Sequence, residues 1–541
     1  MIIVISDVLV YMALRFINHQ KIIITMNNPA LKIGKLIYLS VGFIFIMLIS
    51  CERNAKITPF KNVVFILGDD HTAGVVGCYG NKIIRTPNLD RMAANGIFFT
   101  SAYANAPVCS ASRQSLLTGK YPHSTGVTLL RTSFDDEKNL TIAEYLRDNY
   151  NFKTALIGKS HFNNNLNHGF DYLVTYKDYN EYIKSHPPRS VPDTVKTRPP
   201  WRPFRDDASI WLNAEGLPEK RYEGDDLSSF VTKKAIEFLR NNSDERFCLW
   251  IGYEEPHSPF NFPYGFEADY DPNILSLPGG SPEDDRWIPA IFRNLTSDER
   301  RGIIRSYYKS VEYLDKKVGE VYDAIEDLGL SKETLVVYLG DQGYLLNDHK
   351  RFEKHTMWEP ALRSPFIIAT GGRFGKGREI PVMLEFVDVI PTITDLLGCS
   401  VMESAQGKSL VDVISGKNTL HKKYIISEFF EDNKVMIRSE DNYKYIYTTG
   451  LRDLGQGYET GYGPSGVTER LYDLNKDPGE MHNVFGEPEY ESKTKELKEA
   501  LLNKFMLTHP MVDSLPDGLN ILEKFAFFTV PRDKGDGPGF Y

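Results

Sequence analysis

The chain has 541 residues, of which 42% are hydrophobic and 25% charged, and its formal net charge is −9. That length suits one large α/β domain with a smaller one beside it, and the acidic balance argues against general nucleic-acid binding. It does not exclude an anionic small substrate, because a pocket can carry charge opposite to the whole. The five cysteines, at 51, 78, 109, 248 and 399, are too few and too scattered for a disulfide framework, and no Cys-x-x-Cys pair suggests structural zinc.

At the amino terminus, residues 36–50 form an apolar run preceded by Lys32 and Lys35, the pattern of an export signal. The run closes on Leu48-Ile49-Ser50-Cys51, which resembles a bacterial lipobox with Cys51 as the lipidated first residue of the mature protein. The competing reading, a membrane anchor, asks for a run of about 20 residues. Met26 makes a better start than Met1, and residues 52–60 read as a tether. This places the protein in the periplasm or on the outer-membrane or cell surface of a bacterium, touching membrane only through the lipid.

Residues 62–67 are a continuous apolar run, as expected of a strand buried on both faces, and they lead into Gly68-Asp69-Asp70-His71. Residues 334–339 repeat the pattern and lead into Gly340-Asp341-Gln342-Gly343. Ligands of open α/β sheets bind beyond the carboxyl ends of the strands, so these acids are expected at one edge. Further strands are predicted at 153–157, 247–253 and 364–370, and helices at 87–95, 141–148, 228–241, 297–328 and 388–397. The alternation gives an α/β fold, a large mixed sheet sandwiched by helices over 61–422. Residues 177–226, rich in Pro, Arg and Trp, read as an irregular substrate-contacting insertion. From 423 onward, short strands at 424–428, 434–438 and 443–448 and a helix at 491–505 read as a smaller α+β domain running to 541.

The stretch from Pro107 to Gly126 carries the chemistry. Cys109 precedes a helical segment at 111–117 that Ser110 or Ser112 can cap and Gly119 can end. A thiol at a helix start faces unpaired N–H groups, which favour a thiolate and an oxyanion beside it. Arg113 adds a cation one helical turn on. Taken alone, Cys-x-x-x-Arg allows a buried cysteine with a surface arginine. A cysteine-dependent phosphatase loop needs arginine six positions after the nucleophile, where this chain has Ser115.

The third reading is a family resemblance. Cys109-Ser-Ala-Ser-Arg113, with Leu116-Leu-Thr-Gly-Lys-Tyr-Pro-His123, resembles the signature of the type I sulfatases of the alkaline phosphatase superfamily. Ala155-Leu-Ile-Gly-Lys-Ser-His161 resembles the second signature, and Pro256-His257-Ser258-Pro259 and the run from Gly343 through His349 and Lys354 to Pro365 follow in the family's order. Tyr472-Asp-Leu with Asp477-Pro-Gly-Glu480 looks like its C-terminal marker. The resemblance spans roughly 60–485 and is nearest in character to bacterial glycan sulfatases similar to iduronate sulfatase.

The resemblance implies that Cys109 is oxidised to formylglycine by a maturation enzyme and that its hydrate attacks sulfur. It further implies that Asp69, Asp70, Asp341 and Gln342, with position 109, bind Ca²⁺, or Mg²⁺ as a second hard cation. Arg113, Lys159, His161, His257 and Lys354 would surround the sulfate. His257 or Lys354 would protonate the leaving alcohol, and His161 would take the proton that expels sulfate. The chain departs from the family at Ala111, where proline is commoner, at Gln342, in place of Asn or His, and at Lys350, which could add a substrate contact. The expected substrate is sulfated carbohydrate, with His123, Arg131, Trp201, Arg202 and Arg205 as sugar contacts. The alternatives are a phosphomonoester or phosphodiester hydrolase of the same superfamily and a non-catalytic glycan-binding lipoprotein.

Overall fold

The computed structural model describes residues 58–449 except 136, 204 and 287, together with residues 466–537. The expected export segment, Cys51 and most of the expected tether lie outside the described residues. Among the described residues, no helix is long and apolar enough to cross a membrane.

Strands β1 (Asn62–Gly68), β2 (Gly96–Tyr103), β3 (Lys153–Gly158), β4 (Tyr172–Val174), β6 (Phe247–Gly252), β8 (Thr334–Gly340), β9 (Phe366–Ala369) and β10 (Arg378–Glu385) form one sheet. Its order is β10-β2-β9-β8-β1-β6-β3-β4. Every residue of β1, β6 and β8 is buried, which explains their unbroken apolar runs. Only β9 runs against its neighbours, so β1, β2, β3, β6 and β8 all end at the same edge. β5 (Glu219–Tyr222) and β7 (Pro263–Tyr264) pair separately.

Side chains alternate across a strand. Val64 and Ile66 join Leu314, Val318 and Val321 of the Ser297–Asp327 helix and Phe230 of the Leu227–Asn241 helix in one core. Phe65 points the other way and meets Trp250 with ring centroids 4.6 Å apart. The long helix begins at a capping box, in which Glu299 N–H donates to Thr296 Oγ1 and Thr296 N–H donates to Glu299 Oε2. The predicted helices at 87–95, 141–148 and 388–397 are Pro87–Ala94, Ile142–Tyr150 and Val389–Leu396.

β11 (Tyr424–Phe429), β12 (Lys434–Ser439), β13 (Tyr443–Thr448) and β14 (Thr468–Asp473) make an antiparallel sheet with both faces covered. Ile426, Val435, Ile437, Tyr445 and Leu471 pack on Leu497, Leu501 and Phe505 of the Glu491–Thr508 helix. The alternate residues Ile425, Met436, Ile446 and Tyr472 pack on Val108, Ala111 and Met357, beneath the segment that carries Cys109. The smaller sheet thus supports the site from below.

The insertion is less irregular than its composition suggests. Tyr176–Ser185 and Ala208–Trp211 are helical, and Glu219–Tyr222 is β5.

Candidate active site

β1 and β8 are paired in parallel with Gly68 opposite Gly340, so Asp69-Asp70 and Asp341-Gln342 leave the sheet side by side. The junction is tied by backbone: Asp341 N–H donates to Gly68 O at 2.9 Å, and Asp70 N–H donates to Asp341 Oδ1 at 3.0 Å. β3 and β6 end opposite each other at Gly158 and Gly252. A Cβ on Gly252 would collide with the Lys159 carbonyl, so glycine there lets the chain carrying Lys159 turn into the same edge.

Cys109 opens the Cys109–Thr118 helix, and Gly119 ends it in the left-handed conformation at φ 68°. Neither serine caps the start. Ser110 Oγ donates to Leu129 O at 3.3 Å, and Ser112 Oγ donates to Asp341 O. The N-cap, Val108, has no side-chain bond to offer, so the first N–H groups of the helix are left for the site.

Cys109 Sγ lies 3.1 Å from Asp69 Oδ1 and 3.9 Å from Asp70 Oδ1, with Gln342 Nε2 at 3.2 Å and Lys354 Nζ at 2.8 Å. Lys354 Nζ also reaches Asp70 Oδ1 at 2.7 Å, and Lys159 Nζ pairs with Asp69 Oδ2. Arg113 Nε donates to Asp341 Oδ2 at 2.7 Å and its Nη1 to the Lys159 carbonyl at 2.9 Å. His257 Nε2 stands 3.7 Å from Asp70 Oδ2, while its Nδ1 faces Ser258 O at 2.7 Å. His161 is 3% exposed, and its carbonyl accepts from Gln114 Nε2 at 3.0 Å. Asp70 and His161 hold φ values of 64° and 60°, and strain of that kind gathers at functional sites.

The electrostatics follow from burial in this charge cluster. Burial raises the Asp69 carboxyl, but Lys159, His257, Lys354 and Arg113 together outweigh it and hold it well below the usual range. Burial and the neighbouring Asp69 charge push Asp341 up to about 7. Burial, then Lys354, pushes His257 down to about 4, and burial with Lys159 lowers His161 as well. Burial and Asp69 raise the Cys109 thiol, the reverse of the thiolate expected from the helix start alone. Burial, then the Asp69 carboxylate, overrules the helix dipole here.

Ligand atoms of Asp69, Asp70, Cys109 and Asp341 all lie within 4.8 Å of one another. Gln342 Oε1 is buried with no hydrogen-bond partner among the described residues. Three carboxylates with a spare amide oxygen are a hard-oxygen donor set, so these residues fit a divalent cation such as Ca²⁺ or Mg²⁺.

The expected sugar contacts divide. Trp201, 39% exposed, stands edge-to-face on His257 with ring centroids 5.6 Å apart and lines a 280 Å³ cleft with Asp69, Lys159 and His257. His123 is corrected: it is 4% exposed, with Nδ1 on Glu428 Oε2 at 2.7 Å and Nε2 on Thr508 Oγ1 at 3.0 Å. It ties the Cys109 segment to the smaller sheet instead of facing a ligand. Arg202 is exposed and pairs with Asp206 at 3.1 Å, and neither it, Arg205 nor Arg131 lines the cleft. Lys350 reaches Asp285 Oδ1 at 2.5 Å and does not line the cleft. The cleft further contains Tyr176, Arg198, Glu254 and Asn261. Glu254 was open to the same reasoning as Asp69, because it follows a buried strand that ends at this edge.

Comparison with known proteins agrees with this geometry. The sulfatase family profile matches residues 61–399, and the profile of the N-sulphoglucosamine sulphohydrolase C-terminal region matches 347–506. The chain is 27% identical to an arylsulfatase of Clostridium perfringens, over 87% of this chain and 98% of that protein. It is 26% identical to an N-acetylglucosamine-6-O-sulfatase of Bacteroides thetaiotaomicron, over 90% and 92%. The crystal structure of a phosphonate monoester hydrolase of Agrobacterium radiobacter superposes with a TM-score of 0.68 at 20% identity, covering 82% of this chain and 95% of that one, a likeness of fold alone. With the profile spanning most of the catalytic sheet and its motifs converging on Cys109, the chain belongs to the sulfatase family.

Proposed function

We propose that this sulfatase releases inorganic sulfate from sulfated carbohydrate, using position 109 as formylglycine and a divalent cation held by Asp69, Asp70, Asp341 and Gln342. The observation that carries the reading is the gathering of three carboxylates, Lys159, Lys354 and Arg113 around Cys109 at an uncapped helix start. The carbohydrate part draws on the N-acetylglucosamine-6-O-sulfatase relative and on Trp201, whose exposed ring beside His257 offers a sugar a stacking face. An aldehyde hydrate at 109 would supply the nucleophilic oxygen, and the cation would supply positive charge that favours its ionised form.

The chain's own residues do the rest. Lys354 Nζ, 2.8 Å from Sγ, marks a cation at the place where the reacting atom of residue 109 sits. Arg113 Nη2 is buried without a partner among the described residues, so it has an N–H to offer a sulfate oxygen. His257 turns Nε2 toward the site because Nδ1–H is committed to the Ser258 carbonyl. An arriving sulfate ester would raise the proton affinity of His257, which with Lys354 would protonate the departing alcohol. His161, buried near the charges of Lys159, Asp69 and Arg113, would take the proton from residue 109. We further propose that the chain is exported and lipid-anchored through Cys51, on the strength of the lipobox-like 48–51 stretch.

The test is free sulfate release from sulfated poly- and oligosaccharides, with matched phosphate esters, using protein made in a host able to form formylglycine. Sulfate from the native protein but not from Cys109→Ala supports the reading. Phosphate release without sulfate transfers the site to phosphoester hydrolysis.

A further inference from the structure

Most cations around the site have carboxylate partners. Lys159 is paired with Asp69, Lys354 with Asp70 and Arg113 with Asp341. Arg198 differs. Its backbone is fixed by an N–H bond to Pro218 O at 2.9 Å. Its side chain makes no ion pair among the described residues; Nη1 reaches only the Pro199 carbonyl at 3.3 Å, and Nε is enclosed with no partner. A guanidinium without a carboxylate partner gains more from an anionic ligand than one already paired.

Arg198 also occupies a particular place. It lines the cleft that holds Lys159, His257 and Trp201, and it lines the adjoining 950 Å³ groove formed by the insertion. In that groove Arg189 is paired with Asp225 and Lys220 with Asp193. Among the described residues Arg198 thus lines both cleft and groove without an ion pair, with the Glu219 and Glu254 carboxylates near enough to act on it.

We propose that Arg198 binds a second anionic group of the substrate, a carboxylate or a further sulfate, on the sugar that bears the scissile ester or on its neighbour. The inference rests on the sulfatase reading and sharpens it: the preferred substrate carries at least two negative charges. The planar guanidinium suits either group, since both present paired oxygens to its fork.

The test is calorimetric binding on the Cys109→Ala background, which removes dependence on maturation. The ligands are an oligosaccharide with one sulfate, the same sugar with an added uronate carboxylate, and the same sugar with a second sulfate. Arg198→Ala is expected to weaken the doubly charged ligands about 10- to 100-fold and the singly charged one far less. Arg198→Lys should recover only part, because an ammonium lacks the fork. The two doubly charged ligands show which anion is preferred. With residue 109 intact, the loss should appear in KM more than in kcat. Equal weakening of all three ligands, or no preference of the parent protein for a second charge, overturns the inference while sulfate release still stands. Preference for the second charge in a protein that releases no sulfate keeps the Arg198 site and removes the sulfatase reading.

Discussion

Asp69, Asp70, Cys109 and Asp341, at the floor of the site, stand on strand ends and a helix start and are at most 1% exposed, whereas Trp201 at the mouth is 39% exposed on an irregular loop. Asp69 N–H is tied to Glu255 O, Asp341 N–H to Gly68 O and Asp70 N–H to the Asp341 carboxylate. Mouth groups are held by one loop, itself braced by exposed ion pairs such as Arg189–Asp225. Chemistry that needs atoms fixed closely falls to the first region, and choice of substrate to the second. The smaller sheet belongs with the floor, since it packs under Val108 and Ala111.

The contrast can be tested by mutation. The largest effect is expected at Asp341, which joins Arg113 to the Asp70 backbone. Asp341→Asn should cut sulfate release by about 10²- to 10³-fold. It should also shrink the rise in melting temperature on adding Ca²⁺, because a ligand that binds only the folded state loses affinity. A full Ca²⁺ response in this variant would remove Asp341 from the cation site.

His123→Ala tests the corrected assignment. Loss of the bonds to Glu428 and Thr508 should cost about 2–4 kcal/mol in denaturant unfolding, with little change in preference among sulfated sugars. A changed preference at full stability would return His123 to the ligand.

Acid should weaken the same support. Burial, then His123 and Arg532, pushes His509 down to about 3, and its Nδ1 accepts the Met511 N–H at 3.1 Å. The unfolded chain then binds the extra proton between pH 6.5 and about 3, so this contribution is complete above 6.5 and is lost as pH falls toward 3. At pH 5 the loss is about 2 kcal/mol, and His509→Phe should flatten that slope in a pH series of denaturant melts.

Trp201→Ala should have the smallest effect. A raised KM of about tenfold on carbohydrate substrate is expected, with stability within about 0.5 kcal/mol of the parent. A fall in kcat instead would assign the ring to positioning His257.

Sequence made the floor legible because its parts are written locally. An apolar run ending in Gly-Asp marks a buried strand whose acid emerges at the sheet edge, and β1 and β8 both carry that mark. The Cys109 helix and its glycine stop were readable for the same reason, although its start was not, since Ser112 spends its hydroxyl on the distant Asp341 carbonyl. The mouth depends on contacts distant in sequence. Nothing around Arg198 indicates that its N–H meets Pro218 or that Trp201 reaches His257, so composition marked the insertion but not which of its side chains line the cleft. β2 and β10 were also missed, because their runs mix polar residues with apolar ones and their pairing is set by the sheet.

The proposed chemistry needs residue 109 as an oxidised cysteine among hard-oxygen ligands. The most direct measurement is mass spectrometry of the peptide containing residue 109, made on the same preparations whose sulfate release is assayed with and without chelator. The expected result is sulfate release that scales with the fraction of aldehyde-bearing peptide and falls when the divalent cation is removed. Full sulfate release from protein whose residue 109 remains an unmodified cysteine would contradict it.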